Sequence, residues 1–474
     1  MTTATLDSSF LTAFRTGTLT EEQARVFAHL DPLAACFLLL QLSAALAGTA
    51  PAVGPPVPSG SVPPFAKPTT TGGTKKLGGK PGHAGHSRPK PTTIDNHETH
   101  QLPSCPCCGG ELHRTGRVRK RLVEDLPDDL HSEVTEHTIH RDWCRMCKKQ
   151  VEPVVPAALP NCTLGHRAVA LTAWLHYGLG TTTSQIIEVL NGHLQLKVSE
   201  GGLTDIWHRL ATILTPWYEQ IRNDCLRAPV LHADETGWRR KGQTWWLWNA
   251  STPTSSYYWI DDSRGHDALN EFFVEEFDGV LVTDFWRAYD AFADRRQKCW
   301  AHLLRDVKAI DTGPDATDEW RHFSKKLKRL FGDGVRLKLA RDELSAEVFD
   351  RRVLALHQRR HELSQTASEH PHVHRFAKRL HGESESLLMF VEVREVEPTN
   401  NQAEREIRPA VLMRKASYGS MSEQGSITRS ILMSVYRTLK LRGLDPLAET
   451  QKALQTYTVS GTLPPLPGKT SSQD

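Results

Sequence analysis

The sequence predicts an α+β chain of several domains, centred on a mixed sheet that is split by an all-helical insertion. Three observations carry that reading: closely spaced strand patterns between 229 and 300, a helical pattern without strand signals from 313 to 388, and two cysteine pairs upstream of both. At 474 residues and 39% apolar, the chain is long enough for roughly two to four domains with at least one sizeable core.

Residues 1–47 read as an amphipathic helical region, with Leu19, Ala24, Phe27 and Leu30 on one side. The apolar run from Leu33 to Ala47 is broken by Gln41 and Ser43 and falls short of the roughly 20 residues that span a bilayer, so a buried or self-associating helix is expected and no membrane partner. No basic stretch precedes it and no cleavage pattern follows, which makes the cytoplasm of a bacterial cell, in association with the nucleoid, the expected location. Residues 48–96 change character: ten prolines fall between Gly48 and Asn96, with Lys75, Lys76, Lys80, Arg88 and Lys90 scattered among Gly, Ser and Thr. Such a segment cannot bury a core and reads as a basic linker, either simply solvated or lying along a phosphate backbone.

Residues 97–155 read as a zinc ribbon. Cys105 and Cys108, then Cys144 and Cys147, are two CxxC pairs before turns, separated by strand-like sequence, and four thiolates at that spacing close a tetrahedral zinc site. Cys107 makes the first pair ambiguous, but Cys105 and Cys108 have the required spacing. Four sulfur ligands leave no open position for water, so the one zinc ion expected here is structural. Nine cysteines in total then read as reduced thiols and metal ligands.

Residues 160–222 carry three helical segments, 168–177, 183–190 and 203–214, with Gly180 and Gly192 at turns. A helix-turn-helix-like DNA-binding region fits this pattern, as does an ordinary helical subdomain. From 223 to 312 the first part of a catalytic core is expected. Strands at 229–234, 244–250 and 256–260 form an antiparallel meander, a helix follows at 266–277, a fully apolar strand at 279–283, a helix at 286–293 and a short strand at 297–300. Three antiparallel strands, a crossover helix and further strands is the order of a ribonuclease-H-like mixed sheet. Residues 313–390 form the helical insertion, where 15 Lys/Arg stand against 7 Asp/Glu between Arg321 and Arg379 although the whole chain is only +3. Residues 391–460 complete the core, with a helix from about Gln402 to Met413, and 461–474 read as a loose tail.

Three carboxylates sit at informative places in this layout. Asp234 ends the first strand, Asp284 ends the fourth, and Glu404 opens the late helix after 119 intervening residues. Two strand-end acids joined by a third are what two hard divalent cations require, since such ions take oxygen ligands and clamp the attacking and leaving oxygens of a phosphodiester. Two of the acids also have ordinary uses, Asp284 as a helix cap and Glu404 either in a capping box with Asn401 or as an i,i+4 partner of Arg408, whereas Asp234 ends an apolar strand, where a polar residue costs burial unless it is used.

The motifs that surround these acids match a known family. GGKPGHAGH, CPCCGGEL with WCRMC, LHADETGWR, GVLVTDFWRAYD, CWAHLLRD and TNNQAEREIRPAVLMRKASYGSMSEQGS together span about 78 to 450, and on them the chain resembles insertion sequence 66 transposases. The resemblance implies a catalytic Asp-Asp-Glu triad at Asp234, Asp284 and Glu404, two Mg²⁺ or Mn²⁺ ions per active site, cleavage at the element's ends, and attack of the freed 3′-hydroxyl on target DNA. It implies double-stranded DNA as partner, both the terminal inverted repeats and the target, a homo-oligomer in the synaptic complex, and a place for accessory proteins of the same element. Cys299 and His302 resemble a CxxH string that several transposase families carry after the second acid, where His302 either supports the structure or contacts metal or DNA. Arg405, Arg408, Arg414 and Lys415 flank Glu404 and are candidates for DNA phosphate contacts. The N-terminal run 33–47 departs from the charged zipper-like helix of relatives, having no e/g charge pattern. A metal-dependent nuclease that cuts without joining, and a zinc-ribbon DNA-binding regulator whose acids are only caps, are the rival readings.

The ribbon reading has a direct test. A thiol reagent acting on Cys105, Cys108, Cys144 and Cys147 is expected to release about one zinc ion per chain and to abolish binding to end DNA; a protein that binds end DNA with no metal at these thiols would remove the ribbon.

Overall fold

The computed structural model describes residues 92–95, 97–104, 106–113, 120, 122–123 and 130–468. The N-terminal helical region 1–47, most of the 48–96 linker and Cys105 lie outside the described residues. The chain divides into two compact units, Met1–Val123 and Glu124–Asp474. In the first, Cys107 and Cys108 are exposed thiols, and Gly109 turns the chain at φ 72° directly after them. Every helix and strand described belongs to the second.

That unit begins with an antiparallel hairpin of β1 (Asp142–Cys144) and β2 (Lys149–Val151). Its turn is tight enough for the Cys147 amide to donate to Cys144 Sγ at 3.4 Å. Three helices follow: α1 (His166–Ala173), prolonged by a π-type turn at Trp174–Gly178, α2 (Thr183–Gly192) and α3 (Glu200–Leu226). A reciprocal capping box between Thr182 and Gln185 starts α2. In α3 the buried residues Leu203, Ile206, Trp207, Leu210, Leu214, Trp217 and Ile221 recur at three and four, one apolar stripe for the whole helix.

The five-stranded sheet runs in the order β5-β4-β3-β6-β7. Its members are β3 (Val230–Arg240), β4 (Gln243–Ser251), β5 (Ser256–Asp261), β6 (Val280–Thr283) and β7 (Arg296–Lys298). β3 to β5 form an antiparallel meander, and β6 and β7 add in parallel. Lys241 and Gly242, both at positive φ, make the two-residue turn between β3 and β4, the geometry that matches strand twist. Strand alternation divides the core in two. Leu231, Ala233 and Leu281 join the cluster that contains α3, whereas Val230, Val280 and Val282 join the cluster beneath the later helices.

Between β5 and β6 lies α4 (His266–Phe272), shorter than the 266–277 helix expected, because the chain turns extended at Phe273 and the Phe277 amide donates to Phe292 O instead. The segment after β6 is a 3-10 turn at Arg287–Ala291 rather than a helix over 286–293. After β7 come α5 (Trp300–Asp311), α6 (Asp318–Leu339), α7 (Ala346–Ser364), α8 (Pro371–Gly382) and α9 (Met389–Glu392), which share the second core. The chain then returns through α10 (Asn401–Ser417), α11 (Glu423–Leu441) and α12 (Pro446–Ser460).

Helix α11 closes the sheet's edge. Outward amides of β5 meet helix hydroxyls, Tyr258 N donating to Ser434 Oγ at 2.8 Å and Ser256 N to Thr438 Oγ1 at 3.0 Å. Two residues of strand and four of helix each advance about 6–7 Å, so the two spacings coincide along the contact. An edge that would otherwise pair with another chain is thereby satisfied internally. Arg437 of α11 reaches Glu406 of α10 with two hydrogen bonds, at 2.8 and 2.7 Å, and the Glu406 side chain is only 3% exposed.

The expected loose tail is corrected for its described part. Trp217 Nε1 donates to Pro464 O at 2.6 Å, Arg442 Nη1 to Pro467 O at 2.6 Å, and Leu466 is buried in the first core. Prolines leave their carbonyls as strong acceptors, and α3 and α11 supply the donors. Among the described residues, no helix is long and apolar enough to cross a membrane.

The Glu406–Arg437 pair generates a stability test. Arg437→Met leaves a buried carboxylate without its partner, and chemical denaturation is expected to show a loss of about 3–5 kcal/mol; a loss below about 1 kcal/mol would mean that the pair does not hold α10 to α11.

Candidate active site

Two acids meet because of strand register. In the parallel β3–β6 ladder His232 pairs with Val282, and two residues further along each chain stand Asp234, inside β3, and Asp284, directly after β6; the strand expected to end at Asp234 instead continues to Arg240, because residues 235–240 go on pairing with β4. Alternation places both on the face of Val230, Val280 and Val282, toward the second core. Burial, followed by the charges of Glu235 and Asp284 and, more weakly, Glu404, holds the Asp234 carboxyl well above the usual carboxylate range. Asp234 Oδ1 accepts the Glu235 amide, at 3.0 Å, and Asp284 Oδ1 the Trp286 amide, at 2.8 Å. Among the described residues, no Lys or Arg forms an ion pair with either.

Glu404 lies in the first turn of α10 and is carried to the same region. Its ordinary uses are not realised: α10 is capped by Asn400 without a side-chain cap hydrogen bond, and the buried acid paired to arginine on this helix is Glu406. The Asn400 side chain is engaged elsewhere. Its Nδ2 donates to Ala233 O at 2.7 Å and its Oδ1 accepts from His232 Nδ1 at 3.1 Å. Since that oxygen can only accept, the histidine carries its proton on Nδ1, and burial lowers the His232 pKa to about 4, keeping the ring neutral.

Cys299 and His302 stand at the start of α5, the cysteine as its N-cap residue. Asn400 N donates to Cys299 Sγ at 3.1 Å and Trp300 N to Pro398 O at 2.9 Å, so the starts of α5 and α10 are tied together. His302 Nδ1 is 3.6 Å from Glu404 Oε1. Cys299, His302 and Glu404 bring one ligand atom each within 4.8 Å of one another, the group of three so placed among the described residues.

Glu235 is a site residue that the sequence reading missed. It points to the opposite face from Asp234, its side chain is 2% exposed, and it takes hydrogen bonds from Tyr289 OH at 2.6 Å and from Arg264 Nε and Nη2 at 3.1 and 3.0 Å. The signal was present in the pair Asp234-Glu235 within a buried strand, because one of two adjacent acids must face inward. The partners, 29 and 54 residues away, were not readable. Arg264 also lies over the rings of Trp246 and Trp286, fixing the loop after Asp284.

The basic candidates separate. Arg405, Arg408 and Lys415 are exposed on α10, whereas Arg414 is half-buried and donates to Gly237 O and Thr236 Oγ1 of β3. Of the cysteine ligands expected for zinc, Cys144 and Cys147 share the β1–β2 hairpin, where the Cys147 amide lowers the Cys144 pKa. Cys108 belongs to the Met1–Val123 unit and Cys105 is not described.

Comparisons with known proteins give the family. The family described as the zinc-finger binding domain of transposase IS66 matches residues 103–148, and the Transposase IS66 family matches residues 161–427, more than half of the chain. A DNA-processing enzyme is therefore the class to which the fold and site belong. The chain is a member of the IS66 transposase family, a DNA-binding, zinc-containing family of insertion sequences. Two relatives come from Sinorhizobium fredii (strain NBRC 101917 / NGR234). The uncharacterized protein y4jD is 25% identical over 403 residues, 76% of this chain and 75% of its own, and the uncharacterized protein y4hP is 24% identical over 388 residues, 73% and 69% respectively.

Crowded carboxylates without a cationic partner fit divalent cations, which take oxygen ligands. Asp234→Asn removes one like charge, so the metal-free variant is expected to unfold at a higher temperature than the wild type. Millimolar Mg²⁺ is expected to raise the wild-type midpoint by about 2–4 °C and to leave the variant unmoved; a wild-type midpoint indifferent to Mg²⁺ and Mn²⁺ alike would sink the fit.

Proposed function

We propose that this transposase cleaves DNA at the ends of its element and joins the freed 3′-hydroxyl to target DNA, using Asp234, Asp284 and Glu404 as metal ligands. The observation that carries this reading is the register of β3 and β6, which sets Asp234 beside Asp284 without an ion-pair partner among the described residues. A meander extended by two parallel strands, with one acid on its first member and one directly after its fourth, supports reading the sheet as a ribonuclease-H-like core. In that reading the core comprises 223–312 and 391–460, the helices of 313–390 are an insertion, and the helix-turn-helix-like region 160–222 and ribbon 97–155 hold DNA.

When bound, two divalent cations activate the attacking water or 3′-hydroxyl and stabilise the leaving 3′-oxygen. The chain's own residues position them. Asp234 and Asp284 present oxygens from two hydrogen-bonded strands, so their separation is set by the sheet and not by flexible loops. Asn400 fixes the start of α10 against β3 and thereby the approach of Glu404. Exposed Arg405, Arg408 and Lys415, on the same helix, neutralise phosphates and align the strand, a contribution that weakens with salt. Double-stranded element ends and target DNA are the partners, in a multimer that synapses two ends.

The test is strand cleavage on labelled end DNA. Asp234→Asn, Asp284→Asn and Glu404→Gln are each expected to lower cleavage by at least about 10³-fold while end binding stays within about 3-fold of wild type, since the carboxylates act on the reacting oxygens and not on the duplex. Retained cleavage in any one removes that residue from the site. Pre-nicked ends that are never joined to target by the wild type would leave a nuclease.

A further inference from the structure

We propose that Cys299, His302 and Glu404 form a second metal site, for a zinc-class divalent ion, at the junction of α5 and α10. The proposal shares Glu404 with the cleavage reading but stands on different observations. His302 Nδ1 and Glu404 Oε1 are both buried atoms without a hydrogen-bond partner, although the two residues are about one-third exposed overall. At 3.6 Å they are too far apart to satisfy each other, since such hydrogen bonds close to about 2.7–3.2 Å. Two ligands on one tetrahedral zinc ion, with bonds of about 2.0–2.1 Å, stand about 3.3 Å apart. An ion between them satisfies both atoms where a hydrogen bond does not.

The third ligand decides the class of ion. Cys299 Sγ belongs to the same group within 4.8 Å, and a thiolate with an imidazole and a carboxylate selects zinc over magnesium, which prefers oxygen throughout. Cys299 is the N-cap residue and His302 lies three residues on in the first turn, so one turn of α5 aims both side chains at the same point. Burial pushes the Cys299 thiol up, the Asn400 amide at 3.1 Å from the sulfur opposes that only in part, and coordination releases the thiol proton to solvent. Three protein ligands leave a fourth position for water or a DNA phosphate oxygen. Holding Glu404 through Oε1 also fixes its rotamer beside the two aspartates.

Metal content of the zinc-saturated, desalted full chain tests the proposal. The wild type is expected to retain one more zinc ion per chain than Cys299→Ala and than His302→Gln, with the zinc bound at Cys144 and Cys147 kept in all three. With Co²⁺, the wild type minus Cys299→Ala difference spectrum is expected to contain a sulfur-to-cobalt charge-transfer band. If Cys299→Ala does not fold, as judged by circular dichroism, His302→Gln at its partly exposed position decides alone. Equal zinc in wild type and His302→Gln, or no sulfur band in the wild type that depends on Cys299, overturns the site. Loss of cleavage in Asp234→Asn is read separately: if it occurs while zinc content stays equal, the second site fails and the cleavage reading stands, and the reverse pattern does the opposite.

Discussion

Asn400, 1% exposed, touches three segments that carry the site: its side chain bonds Ala233 and His232 on β3, its amide meets Cys299 before α5, and its carbonyl accepts the Glu404 amide within α10. A buried primary amide that lost one of these partners would leave an unsatisfied polar group costing about 1–3 kcal/mol, so the three segments are held as a unit. Because Asp234 follows Ala233 by one residue and Glu404 follows Asn400 by one turn, fixing Asn400 fixes the distance between helix and strand acids. The neutral His232 ring is part of the same device, since a charged ring there would be buried without a counter-ion.

The acids themselves oppose the fold. Asp234 is crowded by Glu235, Asp284 and Glu404, and burial adds to the penalty on its charged form. Burial and the Asp284 charge raise Glu235 as well, but it faces the other way, where hydrogen bonds from Tyr289 and Arg264 offset part of that penalty. Asp234 and Asp284 have no such relief from protein side chains among the described residues. A polar cluster left strained in an otherwise well-satisfied sheet is where binding energy from ions and phosphates can be used, and the surrounding structure supplies the stability that the cluster subtracts.

That stability comes from the two layers around the sheet. On one side α3 and α11 bury a continuous apolar stripe and α11 seals the β5 edge through serine and threonine hydroxyls. On the other, the later helices cover Val230, Val280 and Val282 with Trp300, Leu303 and Val307. The helices that follow β7 are thus packed on the acid-bearing strands, and β7 is joined to the segment before α9 where Lys298 N donates to Ser386 O at 2.7 Å. Such packing explains how a long detour before Glu404 still returns α10 to a defined position.

Local pattern determined much of this protein. Short apolar runs bounded by turns located the strands around Asp234 and Asp284, the CxxC spacing located the ribbon, and the basic helical pattern located the detour before Glu404, because each signal lies within one short window. Relations between distant windows were decided only by tertiary structure. The sequence placed Glu404 in a capping box with Asn401, but the folded helix takes Asn400 as its N-cap residue, and that side chain bonds His232 and Ala233 rather than the helix, removing that use. It offered Arg414 as a phosphate ligand, and packing turned it onto β3. It left the segment from 461 onward loose, and Trp217 and Arg442 hold its described part at Pro464 and Pro467. In each case a polar side chain or carbonyl had several possible partners of equal local merit, and which one it met depended on chain segments more than 100 residues away or brought close only by the folded core.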